Sequence, residues 1–136
     1  MADPTPFAAA PNTAARPLRV LLADDTVCIR RLVDRALTRA GIEVFMATDG
    51  VEAVRAGRDP GFFDVMIFDI EMPRFGGAEA LRALRTLEID TPAIAFTGSD
   101  SDEARRELLA AGFADVVAKG ANYDALVERC YALAAA

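Results

Sequence analysis

The chain has 136 residues, 53% of them hydrophobic, and a formal net charge of -6 from 15 Lys and Arg against 21 Asp and Glu, with no His and two Cys. That length suits one domain with a core of its own, and an acidic balance with scattered basic residues excludes a nucleic-acid surface, which needs clustered Lys and Arg. The lack of His removes the commonest general base and metal ligand and leaves chemistry to carboxylates, hydroxyls and amines; no apolar run is long enough to span a membrane and no signal peptide opens the chain, so a cytoplasmic protein without membrane insertion is expected.

Residues 1 to 16 are rich in Ala and Pro and read as a disordered leader, followed by a domain over 17 to 136. Leu18 and Val20 to Ala23 form a short apolar strand that ends in Asp24-Asp25. Thr26 caps the next helix, where Ile29, Leu32, Val33, Ala36, Leu37 and Ala40 recur at three-and-four spacing until Gly41. Ile42, Val44, Phe45 and Met46 give a second strand, Thr48 to Gly50 a turn, and Val51 to Ala56 a short helix. The third strand, Val65 to Phe68, is the continuous apolar run of a strand buried on both faces, and it stops at Asp69. Pro73 and Gly76-Gly77 make the following segment a loop before a helix over about 78 to 87, with Leu81, Leu84 and Leu87 on one face.

Pro92 opens a fourth strand that runs through Ala93 to Phe96 into Thr97-Gly98. Ser99 to Asp102 offers N-caps for a helix over about 103 to 111, stopped by Gly112. A fifth strand over 115 to 118 ends at Lys119, and a last helix from about Asn122 buries Leu126, Val127, Cys130, Tyr131 and Leu133. Cys28 and Cys130 both fall in helical patterns and are expected as small buried hydrophobes in a reducing compartment.

Five strands alternating with five helices predict a doubly wound parallel α/β sheet. In such a sheet Asp24, Asp25, Asp69, Thr97 and Lys119 all lie at the carboxyl ends of strands, where ligands gather. Two carboxylates 4 Å apart repel by about 4 kcal/mol at an effective dielectric of 20, so a cation is required, and oxygen ligands without His or thiolate select a hard one, Mg²⁺. Lys119 and Thr97 are suited to phosphate oxygens, and Gly98 leaves room for a ligand near the backbone. That is an arrangement for an aspartyl-phosphate, with Asp69 on the central strand as nucleophile.

Asp24-Asp25, Asp69 with Met72-Pro73 and Gly77 after it, Thr97-Gly98 and Lys119, together with Ala47 to Ala53, resemble the receiver domain of two-component response regulators over about residues 17 to 135. The resemblance implies a flavodoxin-like (βα)5 fold with strand order 2-1-3-4-5. It implies that Asp69 accepts a phosphoryl group from a sensor histidine kinase, a histidine phosphotransfer protein or a small phosphodonor. Asp25, Asp69 and the backbone carbonyl of Glu71 would hold Mg²⁺ directly, Asp24 would act through water, and Thr97 and Lys119 would contact phosphoryl oxygens. The added charge would switch contacts with a downstream protein through the face of the fourth helix, fifth strand and fifth helix. The first helix, with Arg30 and Arg31, would dock the kinase. A stand-alone regulator is expected, monomeric or weakly dimeric, catalysing at most its own phosphorylation and dephosphorylation.

Two departures from the family stand out. Gly120 follows the lysine where receivers usually have Pro; a cis bond there would cost about 2.5 to 4 kcal/mol against about 0.5 to 1 before proline, so a trans bond is expected. Val116 stands where many receivers carry an aromatic residue, while Phe113 reads as core. These departures keep alive a phosphorylation-independent interaction module. An aspartate-nucleophile phosphohydrolase is the other alternative, with Glu71 as the second acid, but the Thr that follows in that motif is missing and no cap domain is available. Arg74, Arg82 and Arg85 read as surface charges.

Overall fold

The computed structural model describes residues 16–99, 101–120 and 123–136. Along them β1 Arg19–Ala23, α1 Val27–Arg39, β2 Glu43–Ala47, α2 Gly50–Gly57, β3 Val65–Asp69, α3 Gly77–Thr86, β4 Ala93–Thr97, α4 Asp102–Ala110, β5 Asp115–Ala118 and α5 Asp124–Ala135 follow one another. Each sheet pairing is parallel, and the strand order is β2-β1-β3-β4-β5. This is the doubly wound, flavodoxin-like (βα)5 arrangement. The chain winds outward from β1 to β2, crosses back to place β3 on the other side of β1, and continues to β5. The reversal leaves a crevice beyond the carboxyl ends of β1 and β3.

Side chains alternate across the strands and divide the core into two layers. Leu21, Ala23, Met66, Phe68, Ala93, Ala95 and Val116 pack with Ala53 of α2, Leu81 and Leu84 of α3, and Phe113. Val20, Leu22, Val65, Ile67, Ile94, Phe96 and Val117 pack with Val33 and Leu37 of α1 and Leu126 and Cys130 of α5. β3 and β4 are buried along their whole length, which is why their sequences run apolar without polar alternation. Burying Phe68 or Phe96 removes enough apolar surface from water to contribute roughly 1.5 to 3 kcal/mol each.

Several expectations are corrected. Leu87 is the C-cap of α3 and is exposed. Each three-residue step falls about 60° short of a full helical turn, so by the second step after Leu81 the side chain has rotated off the buried face. Cys28 is exposed, because it lies roughly 140° around α1 from Val33. Leu32 and Tyr131 are also exposed, and the Tyr131 hydroxyl donates to the Ala40 carbonyl (2.6 Å). Val127 and Leu133 are only partly buried. α2 begins at Gly50, with Asp49 as its N-cap rather than a turn residue. Arg16, assigned to the leader, pairs with Asp64 (2.8 Å), and the rest of the leader, like Asn122, lies outside the described residues. α4 has no fully buried residue.

Gly50 sits under the loop between β3 and α3, where an added Cβ would come within 2.0 Å of the Phe75 carbonyl oxygen. Gly98 has nothing among the described residues within 4 Å of the same position. Gly50→Ala is expected to lower stability by about 1 to 3 kcal/mol through this overlap. Gly98→Ala is expected to leave it within about 0.5 kcal/mol of the parent. Urea unfolding of the two variants and the parent measures both.

Candidate functional site

β1 and β3 lie in register with Ala23 opposite Phe68, so the next residues along, Asp24 and Asp69, leave the sheet side by side. Both are buried, whereas Asp25 is exposed. Carboxylate oxygens from Asp24, Asp25 and Asp69 all lie within 4.8 Å of one another. Lys119 reaches this group from the far end of β5. Its backbone N–H donates to the Thr97 carbonyl (2.7 Å), and its ammonium is 3.0 Å from Asp24 Oδ2 and 3.0 Å from Asp69 Oδ2. The same ammonium is 5.6 Å from the centroid of the Phe96 ring.

Local bonds fix the carboxylates. The Thr26 N–H donates to Asp24 Oδ1 (2.8 Å), so Asp24 ties down the start of α1 with one oxygen and faces the lysine with the other. Asp24 Oδ2 is buried without a well-directed hydrogen bond, and the Lys119 ammonium is its ion-pair partner. The Glu71 N–H donates to Asp69 Oδ1 (3.2 Å), while the Glu71 side chain is exposed. Thr97 is buried, its Oγ1 accepts from the Ser99 N–H (3.1 Å), and its hydroxyl donates no hydrogen bond among the described residues. The Lys119–Gly120 bond is trans, as expected, and Gly120 adopts φ +86°, a conformation that favours glycine.

One ammonium, paired with two of three clustered carboxylates, leaves the site short of positive charge. Burial holds the Asp69 carboxyl above its ordinary value and the Asp24 charge adds to the shift, against the bonds from Lys119 and the Glu71 N–H. For Lys119, burial works downward, but its bonds to Asp69 and Asp24 together outweigh it and its pKa is raised. The two directions agree: a lysine with two anions gains more than an aspartate with half a lysine.

The loop after β3 is clamped from two sides. An added Cβ on Gly77 would meet the Asp69 carbonyl oxygen at 2.4 Å, so only glycine fits at the start of α3. Arg74 takes φ +69°, and its guanidinium bonds to the Asp49 carboxylate. The Glu52 N–H, and after it Arg74, hold the Asp49 carboxyl below the usual carboxylate range. Arg74 is a surface charge, as expected, and its exposed guanidinium also bridges the loop to the start of α2. Arg85 is likewise engaged, donating to the Ile89 carbonyl (2.7 Å), and Arg30 donates to the Asp24 carbonyl (2.7 Å) while Arg31 is exposed. Asp49 followed at three residues by Glu52 is a legible helix start, and the Glu52 side chain accepts from the Thr48 N–H (2.7 Å). The partner of Arg74 is not legible, because it lies across the loop.

Oxygen donors alone, excess negative charge and a buried carboxylate oxygen without a well-directed hydrogen bond suit a hard divalent cation such as Mg²⁺. An ammonium and a free hydroxyl hydrogen beside it suit phosphoryl oxygens.

Known proteins resemble this chain in sequence and in fold. The family model of the response regulator receiver domain matches residues 20–131. Response regulator MprA of Mycobacterium sp. (strain KMS) is 36% identical over 119 residues, covering 86% of this chain and 50% of that protein. The chain thus spans about half the length of the curated relatives it matches. The receiver domain of Francisella response regulator 1452 superposes with a TM-score of 0.82 at 32% identity, over 87% of this chain and 97% of that one. The receiver domain of sensor histidine kinase PA1611 from Pseudomonas aeruginosa PAO1, with a magnesium ion coordinated in its active site cleft, superposes with a TM-score of 0.80 at 25% identity, over 88% and 99%.

Because the folded Asp69 carboxyl has a raised pKa, its ionised form opposes folding. The contribution of this group is fully favourable below the unfolded value of about 3.9 and is lost as pH rises through the folded value. Asp69→Asn is therefore expected to melt at a higher temperature than the parent at pH 7 without divalent cations. The difference should shrink as pH falls from the raised value toward about 3.9, as read by thermal denaturation across pH.

Proposed function

The chain belongs to the response regulator receiver domain family, and from that premise we propose that Asp69 accepts a phosphoryl group in a Mg²⁺-dependent reaction and that the acquired charge switches protein contacts within a two-component or phosphorelay system. The observation that carries this reading is the buried Asp69 at the end of the central strand, sharing Lys119 with Asp24 and lying with Asp24 and Asp25 in a cluster whose carboxylate oxygens are within 4.8 Å of one another. The donor is a sensor histidine kinase, a histidine phosphotransfer protein or a small phosphodonor, and the readout is a downstream protein.

A carboxylate oxygen of Asp69 attacks phosphorus; an O–P bond forms as the bond from phosphorus to the donor breaks, and the donor leaves with the electron pair. Lys119 and the Thr97 hydroxyl meet the phosphoryl oxygens and offset their charge. Asp25, Asp69 and the backbone carbonyl of Glu71 would hold Mg²⁺, with Asp24 acting through water. The ion supplies positive charge where the phosphoryl oxygens arrive. The magnesium in the PA1611 receiver supports this choice of metal. The protein turns over at most its own phosphoryl group and acts from the cytoplasm as a monomer or weak dimer, without direct nucleic-acid contact. Among the described residues no helix is long and apolar enough to cross a membrane.

Output passes through α4, β5 and α5. Arg105 of α4 donates to the Val116 carbonyl (3.0 Å) and to Asp115 Oδ1 (3.1 Å), and Arg129 of α5 pairs with Asp115 Oδ2 (2.5 Å). Helix α4 is thus tied to β5 by polar contacts at its start, with the short, buried Val116 between them. The output geometry therefore differs from that of a chemotaxis-type receiver, which has an aromatic side chain at this place. A Val116→Tyr variant whose phosphorylation-dependent chemical shifts in α4 match those of the parent would overturn this part of the reading.

Incubation with Mg²⁺ and acetyl phosphate, followed by intact-mass measurement, tests the phosphoacceptor. The parent is expected to gain the mass of one phosphoryl group, Asp69→Asn to gain none, and omission of Mg²⁺ to abolish the gain. Lys119→Met is expected to slow the reaction by about two orders of magnitude, the usual loss when one electrostatic donor is removed. An unmodified parent, with this donor and with a histidine kinase, would sink the proposal.

A further inference from the structure

Lys119 starts from the end of β5, whereas Asp69 ends β3, and β4 runs between them. Neighbouring strands are about 4.8 Å apart, so the lysine spans roughly 10 Å of sheet to reach its carboxylate, and what lies beneath its path belongs to β4. That residue is Phe96, which pairs in register with Asp69 on one side and with Val117 on the other. Alternation puts Val117, two residues before Lys119, on the same face of the sheet as Phe96. The lysine therefore leaves β5 on the side that the Phe96 ring occupies, and its ammonium stands 5.6 Å from the ring centroid.

Among the described residues little else restrains this side chain. Its backbone is held on the strand by the bond to the Thr97 carbonyl, but Gly120 follows, with φ +86° and nothing among the described residues within 4 Å of the position a Cβ would take. Two carboxylates attract the ammonium from 3.0 Å, but charge attraction by itself depends weakly on direction. An aromatic face specifies it: the negative face of the ring favours a cation above the plane and within about 6 Å of the centroid. The Phe96 ring is itself fixed, being fully buried and packed edge-to-face against Tyr123 at 6.0 Å and 65°. Tyr123 is the N-cap of α5, so the ring that carries the lysine is braced by the next helix.

We propose that Phe96, braced by Tyr123, is a positioning residue for Lys119: the ring face holds the ammonium between Asp24 and Asp69. The contribution to the phosphorylation rate rests on the phosphoacceptor reading above, whereas the placement of the lysine does not. A smaller apolar residue at this position would fill the core but leave the ammonium without its orienting face.

Lys119 is the only lysine in the sequence, so lysine-selective ¹³C labelling yields a single side-chain signal. The expected result in the parent is an ε-methylene proton resonance displaced upfield by the Phe96 ring, with a cross-relaxation peak to that ring. In Phe96→Leu the displacement is lost. Phosphorylation by acetyl phosphate slows by about three- to thirtyfold, the range spanned by a partly to fully desolvated cation–π contact. Tyr123→Leu reduces the upfield displacement without abolishing it. An ε-methylene at the position of free lysine in the parent would overturn the proposal, and this decides the matter even if Phe96→Leu does not fold. So would a folded Phe96→Leu with an unmoved lysine signal, or one with a parental phosphorylation rate while the parent is phosphorylated. A displaced signal in a parent that no donor phosphorylates would uphold the placement and remove only the phosphoacceptor reading.

Discussion

A single ammonium set between two buried carboxylates is the interaction on which this molecule depends. Asp24 and Asp69 end adjacent strands and cannot avoid one another, and Lys119 stands 3.0 Å from each. Burial strengthens both the repulsion and the attraction, because less water screens them. The lysine offsets only part of the charge, since Asp25 also lies within reach of the cluster. The raised pKa of Asp69 and the raised pKa of Lys119 are two sides of this imbalance. A site short of one or two positive charges has a donor set that suits a divalent cation.

The rest of the fold serves to keep those groups close. Two fully buried central strands give Asp69 and Thr97 fixed platforms. The loop that follows Asp69 is pinned at both ends, by the close approach of Gly77 to the Asp69 carbonyl and by the Phe75 carbonyl pressed on Gly50. Between those points Arg74 reaches across to the N-cap of α2. The acidic pocket is therefore held on a stiff frame. Helix α4, by contrast, buries no residue fully and is joined to β5 by Arg105. The frame beside the site thus contrasts with a looser attachment one helix away.

Much of this was legible in the residues. Apolar runs that stop at Asp24, Asp69, Thr97 and Lys119 marked the strand ends, and a parallel sheet can place such ends at only one edge. Buried and exposed positions on the helices were read less well. Leu87, Leu32, Tyr131 and Cys28 face solvent, because hydrophobic spacing defines a broad stripe and only packing decides which part of it is covered. The partners of the arginines are hidden in the sequence for a related reason. Arg74 is the surface charge its sequence suggests, and it also bonds Asp49, while the half-buried Arg85 serves the Ile89 carbonyl four residues on.

The sequence by itself determined the order of strands and helices, the acidic and hydroxyl-bearing ends of those strands, and a donor set made only of oxygens and one amine. These are local properties, written in periodicity and residue type. Tertiary structure alone decided that Asp24 uses its two oxygens for different tasks, that Arg74 closes the loop over α2, and that the path of Lys119 to Asp69 runs over Phe96. The physical reason is that each of these joins residues distant in sequence, through the direction of a side chain that only register and packing fix. Phe96 reads in the sequence as one more apolar strand residue, and only its place in the sheet, between Asp69 and Val117, sets it beneath the lysine.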